Sequence, residues 1–323
     1  MLTCKRLSLI FMMLLSGTTL KAQILTERLI SFTSEELKLL TAEWKGERFP
    51  DGRPKVPDNI IHRMKSVSVE EAWAILSNAG YRYQIAEGWE VINPDSVLVG
   101  RAVTATFMPG RPDVWKAIDS VGRKQGRRAQ NVWAVEMLVK GDVYVADQFG
   151  AKRNGPTIGD NVGNAIFART GNGIVYDGAL RDLEGLREIG GFTSFYSSYD
   201  PSYHNPGGGQ NRDLTTMIVS INRPTRIRTV TVMPGDVVLG KTGVVVFIPP
   251  HLAERVVTTS EVVRLRDMFG HQRLKEGKYT AGQIDTRWSA EIEKDFSQWL
   301  NAHINELPVP KEQIQEILKQ RTW

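Results

Sequence analysis

The sequence predicts a mixed α/β fold, because short apolar strand patterns alternate with amphipathic helix patterns along the chain. The 323 residues are enough for one large domain or two small ones, and they contain no visible internal repeat. Hydrophobic residues make up 41% of the chain and charged residues 24%. These values are typical of a globular protein that buries a core of its own.

Two capping boxes predict helices in the N-terminal part of the chain. Thr33 stands three positions before Glu36, and Ser68 stands in the same relation to Glu71. In each pair the hydroxyl and the carboxylate can satisfy free N–H groups, which marks the start of a helix. The elements predicted here are a helix at 34–44, a Pro/Gly-rich connector at 48–57 and a helix at 69–79.

The rest of the chain contains strand patterns as far as residue 248 and mainly helix patterns beyond it. Glycine, proline and aspartate residues bound most of the apolar runs. Strands are predicted at 98–107, 143–146, 174–176, 227–232, 237–239 and 244–248. The remaining predictions are a helix end at 132–139, helices at 162–168, 250–269, 289–304 and 311–321, and a polar Gly-rich loop at 197–212.

The segment from Gly159 to Asp182, GDNVGNAIFARTGNGIVYDGALRD, carries the strongest functional signal. Asp160 opens a Gly-flanked turn, and Arg181 and Asp182 close the segment after a strand. A turn–helix–turn–strand unit of this length folds back on itself, so its polar ends are expected to meet. Two carboxylates and a guanidinium suit a divalent cation and a small anionic substrate. Taken alone, Arg181 and Asp182 also fit a surface helix start, with Asp182 favoured by the helix dipole.

The charge of the chain points to no particular macromolecular partner. A formal net charge of +5 and a pI near 9.2 are compatible with an anionic substrate but do not require one. The densest basic run, residues 123–128, has no interleaved aromatic residues. A solvated loop is therefore a simpler interpretation than a nucleic-acid surface, and we expect no nucleic-acid partner.

Residues 235–242 match the phosphate-binding pattern GxxxxGK[ST] letter for letter. Such a loop must be followed by a helix, whose N-terminal N–H groups bind the phosphate. Here a β-branched run, GVVVFIPP at 243–250, follows instead. The context therefore predicts two strands joined by a turn and no nucleotide site.

The five histidines show no close metal-ligand spacing. His204 lies in the Gly-rich loop and could reach a site, although an exposed loop histidine is the simpler interpretation. The sequence thus predicts no metal centre built on histidine.

Residues 1–22 have the pattern of a secretory signal peptide. Lys5 and Arg6 give a positive start, the apolar run 7–15 is too short to span a bilayer, and Ala22 suits the position before the cut. The only cysteine, Cys4, would leave with this peptide. No second apolar segment approaches spanning length. We therefore expect a periplasmic or secreted protein that has no membrane contact after cleavage.

Three motifs together resemble those of the RraA-like family. They are VYDGALRD at 175–182, preceded at a fixed distance by GD at 159–160; GDVYVAD at 141–147; and PGDVV at 234–238, followed by GVVV at 243–246. That family includes 4-hydroxy-4-methyl-2-oxoglutarate aldolases, oxaloacetate decarboxylases and the regulator of ribonuclease activity A. The resemblance covers about residues 97–270.

The resemblance implies a layered β/β/α domain with extra N-terminal helices and a helical C-terminal tail. It also implies a homo-oligomer, a trimer or a hexamer, with sites at the subunit interfaces. The domain organisation expected on this basis is a signal peptide at 1–22, an N-terminal helical extension at 23–96, a catalytic domain at 97–270 and a helical tail at 271–323.

The resemblance also implies roles for individual residues. Arg181 would bind the carboxylate of a small 2-oxo acid in a bidentate manner. Asp182 would hold a divalent cation, Mg²⁺ or Mn²⁺, with Asp160 helping through ordered water. The cation would polarise the 2-oxo carbonyl and stabilise the pyruvate enolate. The backbone N–H groups of the turn that faces the same acid come from Gly159, Asp160, Asn161 and Val162.

Three features depart from the family pattern. Gly240, Lys241 and Thr242 stand where aldolases often have acidic residues. Asp267 stands where a glutamate is usual, as the acidic residue that a neighbouring subunit would contribute. The loop at 197–212 resembles an insertion. These departures leave the aldol acceptor and the proton-transfer residue open.

The expected function is that of an exported, metal-dependent lyase that cleaves a C–C bond in a small 2-oxo acid. Aldol cleavage and decarboxylation would both give pyruvate. One alternative is a binding protein without chemistry, like the ribonuclease regulator. The other is a family member that acts on a sugar acid or an oxidised sugar, which the Gly-rich loop keeps open.

Overall fold

A nine-stranded mixed sheet forms the centre of the computed structural model, which describes residues 29–153, 155–204 and 214–319. The predicted signal peptide lies outside the described residues. So do the second half of the Gly-rich loop, residues 205–212, and the last residues of the tail. Among the described residues, no helix is both long enough and apolar enough to cross a bilayer.

Strands and helices alternate through the middle of the chain, as the sequence predicts. The strands are β1 (Ile85–Ala86), β2 (Glu90–Ile92), β3 (Leu98–Pro109), β4 (Asp142–Ala151), β5 (Ile174–Leu180), β6 (Ser194–Tyr199), β7 (Thr216–Ile221), β8 (Thr225–Ile227), β9 (Val230–Val232), β10 (Val237–Lys241) and β11 (Val244–Ile248). The helices are α1 (Ser34–Leu40), α2 (Asp58–Met64), α3 (Val69–Asn78), α4 (Pro112–Lys124), α5 (Asp160–Thr170), α6 (Leu183–Glu188), α7 (Pro250–Lys275), α8 (Ala281–Ile284), α9 (Ala290–His303) and α10 (Lys311–Ile317).

Four parallel strands, β3 to β6, lie side by side in the sheet. Antiparallel strands extend the sheet on both sides, in the order β1-β11-β10-β3-β4-β5-β6-β2, and β7 pairs with the far part of β3. Parallel neighbours require crossover connections, and α4, α5 and α6 provide them. The carboxyl ends of the parallel strands therefore share one edge, where the loops after β4 and β5 meet.

Hydrophobic cores lie on both faces of this sheet. On one face, α4, α5 and α6 cover one part of the sheet, and α2, α3 and α7 cover another. The other face closes on itself: a Cβ on Gly240 of β10 would lie 2.5 Å from the ring of Phe195 on β6, although three strands separate β10 from β6 in the sheet. The β8–β9 hairpin packs into the same core. This layering is the β/β/α arrangement that the resemblance implies.

The N-terminal segment is attached to the sheet by a buried ion pair. The capping boxes of α1 and α3 both form, as predicted. The connector between them is not solvated, because Arg53 is 2% exposed and its Nη1 lies 3.1 Å from Oδ1 of Asp142 at the start of β4. A second bond joins Arg53 Nε to Asp51 at 2.7 Å. Burial alone would lower the pKa of Arg53, but these two carboxylates outweigh it and raise that pKa.

The C-terminal tail packs on the second half of α7. Phe269 lies at the centre of an aromatic cluster, with its ring centroid 5.3 Å from Trp288, 5.3 Å from Phe296 and 5.9 Å from Trp299. This core is separate from those of the sheet. The tail is therefore a packed extension of the long helix.

The string at 235–242 forms a strand and the start of a turn, and an antiparallel strand follows it, as its context predicts. Leu239 of β10 pairs with Val246 of β11. Thr242 and Gly243 make the turn, with φ angles of 51° and 83°. Lys241 is the last residue of β10, and its Nζ lies 3.3 Å from the carbonyl oxygens of Lys65 and Val67. Its amino group is therefore not part of a phosphate-binding loop.

Several boundaries differ from the sequence predictions. The single strand predicted at 227–232 is the β8–β9 hairpin, because Arg228 adopts a left-handed φ of 55°. Helix α4 was not predicted, although Pro112 at its first turn is a usual helix start. The helix end predicted at 132–139 is two short 3₁₀ turns, Gln130–Val132 and Val135–Met137.

Candidate functional site

The first half of the candidate site is the turn that leads from β4 into α5. Gly159 is the N-cap of the helix and contributes no capping side chain. The carboxylate of Asp160 accepts a hydrogen bond from the N–H of Asn161 at 2.7 Å. A helix start of this kind presents backbone N–H groups to an anion.

The second half is the Arg181–Asp182 pair, which follows β5 directly. Asp182 has a left-handed backbone, with φ 52° and ψ 43°, and it begins α6 without a capping hydrogen bond from its side chain. A non-glycine residue in this conformation is uncommon, and such strain is concentrated at functional sites. Oδ2 of Asp182 lies 3.4 Å from Nε of Arg181. Asp182 therefore occupies the N-cap position of a helix, as the alternative of a simple helix start expects, but its carboxylate makes no capping hydrogen bond.

The two halves are in direct contact. The N–H of Arg181 donates to the carbonyl oxygen of Ile158 at 3.2 Å. A Cβ on Gly159 would lie 2.3 Å from Oδ2 of Asp182 and 2.9 Å from Nε of Arg181. The structure thus brings the two ends of the 159–182 segment together, and only a residue without a side chain leaves room for the pair.

A second glycine makes the same kind of room for Asp160. A Cβ on Gly185 of α6 would lie 2.9 Å from Cβ of Asp160 and 3.2 Å from its Oδ2. The side chain of Asp160 therefore lies against the first turn of α6, which is also the turn that Asp182 begins. Asp160 and Asp182, the carboxylates at the two ends of the segment, therefore belong to one small region of the surface.

A cavity of about 400 Å³ opens beside this region. Its walls combine one cation with neutral polar groups and a few apolar atoms. They are formed by Asn131, Pro156, Thr157, Gly159, Asn161, Val162, Arg181, Tyr203 and His204. A guanidinium beside a helix start, in a concave and partly polar pocket, suits a small carboxylate ligand.

His204 is part of the cavity wall and is not an exposed loop histidine. Its Nδ1 lies 3.1 Å from the hydroxyl of Thr216, and its Nε2 is buried without a hydrogen-bond partner among the described residues. Burial, and then the nearby charge of Arg181, lower the pKa of His204 to about 4. The imidazole is therefore neutral at physiological pH. The simpler sequence interpretation was wrong because Thr216 at the start of β7 lies next to the ring.

A family model described as Aldolase/RraA, of the RraA-like family, matches residues 56–246. The chain belongs to the RraA-like family. Its fold is similar to that of Streptomyces coelicolor RraAS2, described as an unusual member of the RNase ES inhibitor RraA protein family. The two are 24% identical with a TM-score of 0.51, over 69% of this chain and 96% of that one.

A second solved structure, an uncharacterized protein from Pseudomonas syringae pv. tomato, has 18% identity and a TM-score of 0.57. It aligns over 74% of this chain and 99% of its own. At these identities the likeness shows the shared fold alone. No curated protein sequence matches the chain. The RraA-like family includes lyases and also regulators without catalytic activity.

A buried hydrogen-bond network holds the backbone that leads into the candidate site. The phenolic oxygen of Tyr176 on β5 lies 2.6 Å from the hydroxyl of Thr157 and 3.2 Å from its N–H. Oε1 of Gln148 accepts from the same hydroxyl at 3.2 Å. These bonds fix the backbone two residues before Gly159. Sequence reasoning missed them, because Tyr176 and Gln148 lie in ordinary strand patterns.

The remaining predicted site residue, Asp267, lies elsewhere in the chain. It is on α7 and lines a separate cavity of about 430 Å³, together with Arg266, His271 and Asp285. Asp267 was expected to serve a neighbouring subunit, and a single chain does not test that role. The role stays a prediction.

The oxygen donors near the cavity fit a hard divalent cation. Asp182 and Asp160 supply carboxylates, the ligand type that Mg²⁺ and Mn²⁺ prefer. No group of three or more His, Cys, Asp or Glu side chains in the described parts of the chain is arranged to hold a metal. A cation at this site would therefore take part of its coordination shell from water, as Mg²⁺ usually does.

Proposed function

We propose that this protein is an exported, divalent-metal-dependent lyase that cleaves a C–C bond in a small 2-oxo acid and releases pyruvate by aldol cleavage or decarboxylation. The observation that carries the proposal is the close packing of Gly159 against the Arg181–Asp182 pair, where a Cβ on Gly159 would lie 2.9 Å from Nε of Arg181 and 2.3 Å from Oδ2 of Asp182. The guanidinium of Arg181 and the helix start at Gly159 line one cavity, and the carboxylate of Asp182 lies next to both of them.

Each group has a defined task in this proposal. The guanidinium of Arg181 binds the substrate carboxylate, and the first turn of α5 offers N–H groups to the same anion. Asp182 would hold Mg²⁺ or Mn²⁺ directly, and Asp160 would orient its water ligands. When bound, the cation would supply Lewis acidity to the 2-oxo group and charge stabilisation to the enolate.

The backbone at Asp182 supports this division of labour. A capping aspartate would use its carboxylate on the N–H groups of α6, but the carboxylate of Asp182 makes no such bond. It lies instead against Arg181, with 37% of its side chain exposed. A carboxylate that neither caps a helix nor is fully buried is accessible to a hard cation.

The second candidate is a binding protein without chemistry, which the similarity to RraAS2 favours. A surface that only binds another protein does not need a carboxylate next to an anion-binding guanidinium. Turnover distinguishes the two candidates, because only a lyase has a turnover that depends on both Arg181 and Asp182.

RraA-like proteins are commonly oligomers. We propose a trimer or hexamer here, in which Asp267 of a neighbouring subunit would complete the site. Size-exclusion chromatography with light scattering measures this state. A monomer with full lyase activity would contradict the shared-site arrangement.

The experiment that tests the function is pyruvate release from a panel of 2-oxo acids, with and without added Mg²⁺ or Mn²⁺. Release that depends on the cation supports the lyase. The absence of release from every acid in the panel, by a well-folded oligomer supplied with either cation, favours the regulator.

Export is the remaining part of the proposal and rests on residues 1–22. N-terminal sequencing of the protein from its native host tests it. We expect a mature chain that begins after Ala22. A chain recovered from the cytoplasm that still begins at Met1 would contradict export.

A further inference from the structure

The cavity beside Arg181 has a wall of mostly neutral polar groups. Arg181 is the only charged side chain among the described residues that line it. The other polar lining groups are amides, hydroxyls and a neutral imidazole, from Asn131, Thr157, Asn161, Tyr203 and His204. One cation can compensate one carboxylate of a ligand. A second carboxylate would meet no further cationic side chain among the described residues of this wall.

Building on the lyase function proposed above, we infer that the substrate is a monocarboxylic 2-oxo acid with a hydroxylated carbon chain, which is the chemistry of a sugar-derived acid. Its carboxylate and 2-oxo group lie at Arg181 and Asp182. Its hydroxyl groups face the neutral polar wall of the cavity, where amides and hydroxyls act as both donors and acceptors.

The polar wall retains hydrogen-bonding capacity for such hydroxyls. Nδ2 of Asn131 donates to the carbonyl oxygen of Thr157 at 3.2 Å, which leaves its oxygen as an acceptor. The ring of His204 borders the cavity, and its Nε2 has no partner within the described residues. A buried nitrogen without a partner is unfavourable, and a hydrogen bond from a ligand hydroxyl would remove that cost. Because this histidine is neutral, it adds no second positive charge to the described part of the wall.

The size of the cavity agrees with a chain longer than that of pyruvate. A volume of about 400 Å³ corresponds to roughly a dozen groups the size of a water molecule, at about 30 Å³ each. The pyruvate portion alone would leave much of this space to solvent. A six-carbon hydroxylated acid fills most of it. Tyr203, which lines the cavity and is 59% exposed, offers a ring face to the distal carbons.

The first test compares two substrates that differ in charge. One is a 2-oxo-3-deoxy sugar acid of six carbons, and the other is the dicarboxylic 4-hydroxy-2-oxoglutarate; pyruvate release is followed with lactate dehydrogenase. We expect kcat/KM to be at least tenfold higher for the sugar acid. A preference for the dicarboxylate overturns the inference.

Deuterium exchange of the pyruvate methyl group separates this failure from a failure of the proposed function, because the exchange needs only the enolate chemistry. If the protein catalyses the exchange but has a higher kcat/KM for the dicarboxylate, the inferred substrate class is wrong and the lyase function stands. Absence of exchange with either cation overturns both.

The second test adds the cation that the wall lacks. Asn131→Lys places an ammonium group in the cavity and should shift the ratio of the two kcat/KM values at least tenfold toward the dicarboxylate. Asn301→Lys is the matched control, because Asn301 lies exposed on α9 and donates to the carbonyl oxygen of Ser297 at 2.9 Å. It should leave the ratio unchanged. A ratio that responds equally to both variants, or to neither, contradicts the assignment of the wall.

Discussion

Gly159→Ala adds a single methyl group between the two halves of the site. The backbone of Gly159, with φ −129°, is one that alanine adopts without strain. The new Cβ would lie 2.3 Å from Oδ2 of Asp182, whereas an unstrained contact requires about 3.5 Å. The carboxylate of Asp182 must therefore move by about 1 Å, and the guanidinium of Arg181 must follow.

The expected effect is large on activity and small on stability. A displacement of about 1 Å at a reacting centre can reduce the rate by roughly 100-fold. Alanine is a poorer N-cap than glycine, which costs about 1 kcal/mol or less in stability. We therefore expect kcat/KM for pyruvate release to fall about 100-fold, while the melting temperature changes by only a few degrees.

Gly190→Ala is the matched control for this variant. A Cβ on Gly190 meets nothing within 4 Å, and Gly190 is not among the residues with a left-handed backbone. It should retain full activity. If Gly159→Ala keeps most of its kcat/KM, the Arg181–Asp182 pair does not lie at the reacting centre, and the reasoning fails.

Three further predictions concern single side chains. Arg181→Lys keeps the charge but loses the planar fork, so KM should rise about tenfold or more; an unchanged KM would place Arg181 outside the binding site. Arg53→Met leaves the carboxylate of Asp142 buried without its partner, so urea denaturation should show a loss of about 3–5 kcal/mol, whereas Arg111→Met at an exposed pair should change little. Burial raises the pKa of Asp236 to about 8, above its ordinary 3.8, so the wild type loses stability as the pH rises from about 4 through 8. Asp236→Asn cannot ionise, so it should become progressively more stable than the wild type over that window. Parallel profiles of stability against pH for the two proteins would contradict this.

The geometry of the candidate site was predictable where functional polar residues stand next to glycines that end a helix or a strand. Gly159, Gly171 and the Arg181–Asp182 pair mark the ends of a helix and a strand, and Gly171 indeed ends α5 in a left-handed conformation, with φ 66°. Such a unit is local, so its ends meet within a short stretch of chain. The same locality explains why both capping boxes formed as predicted.

The parts that were missed depend on contacts between distant residues. In the sequence, Arg53 has the pattern of a connector residue, because no residue near it indicates that it pairs with Asp142 at the start of β4. His204 reads as a loop histidine because Thr216, which fixes its ring, comes after the Gly-rich loop. The turn at Arg228 lacks the glycine that would have revealed the hairpin. No local pattern encodes these features.

The central claim is that Asp182 and a divalent cation together support enolate chemistry at Arg181. The most direct measurement is the exchange of the pyruvate methyl protons for deuterium, followed by proton NMR in D₂O with Mg²⁺ or Mn²⁺. The wild type should exchange them only with the cation, and Asp182→Asn should lose at least 100-fold while keeping its circular dichroism spectrum, because an amide binds a hard cation far less well than a carboxylate does. Exchange by Asp182→Asn at the wild-type rate, or none by the wild type with either cation, would contradict the account.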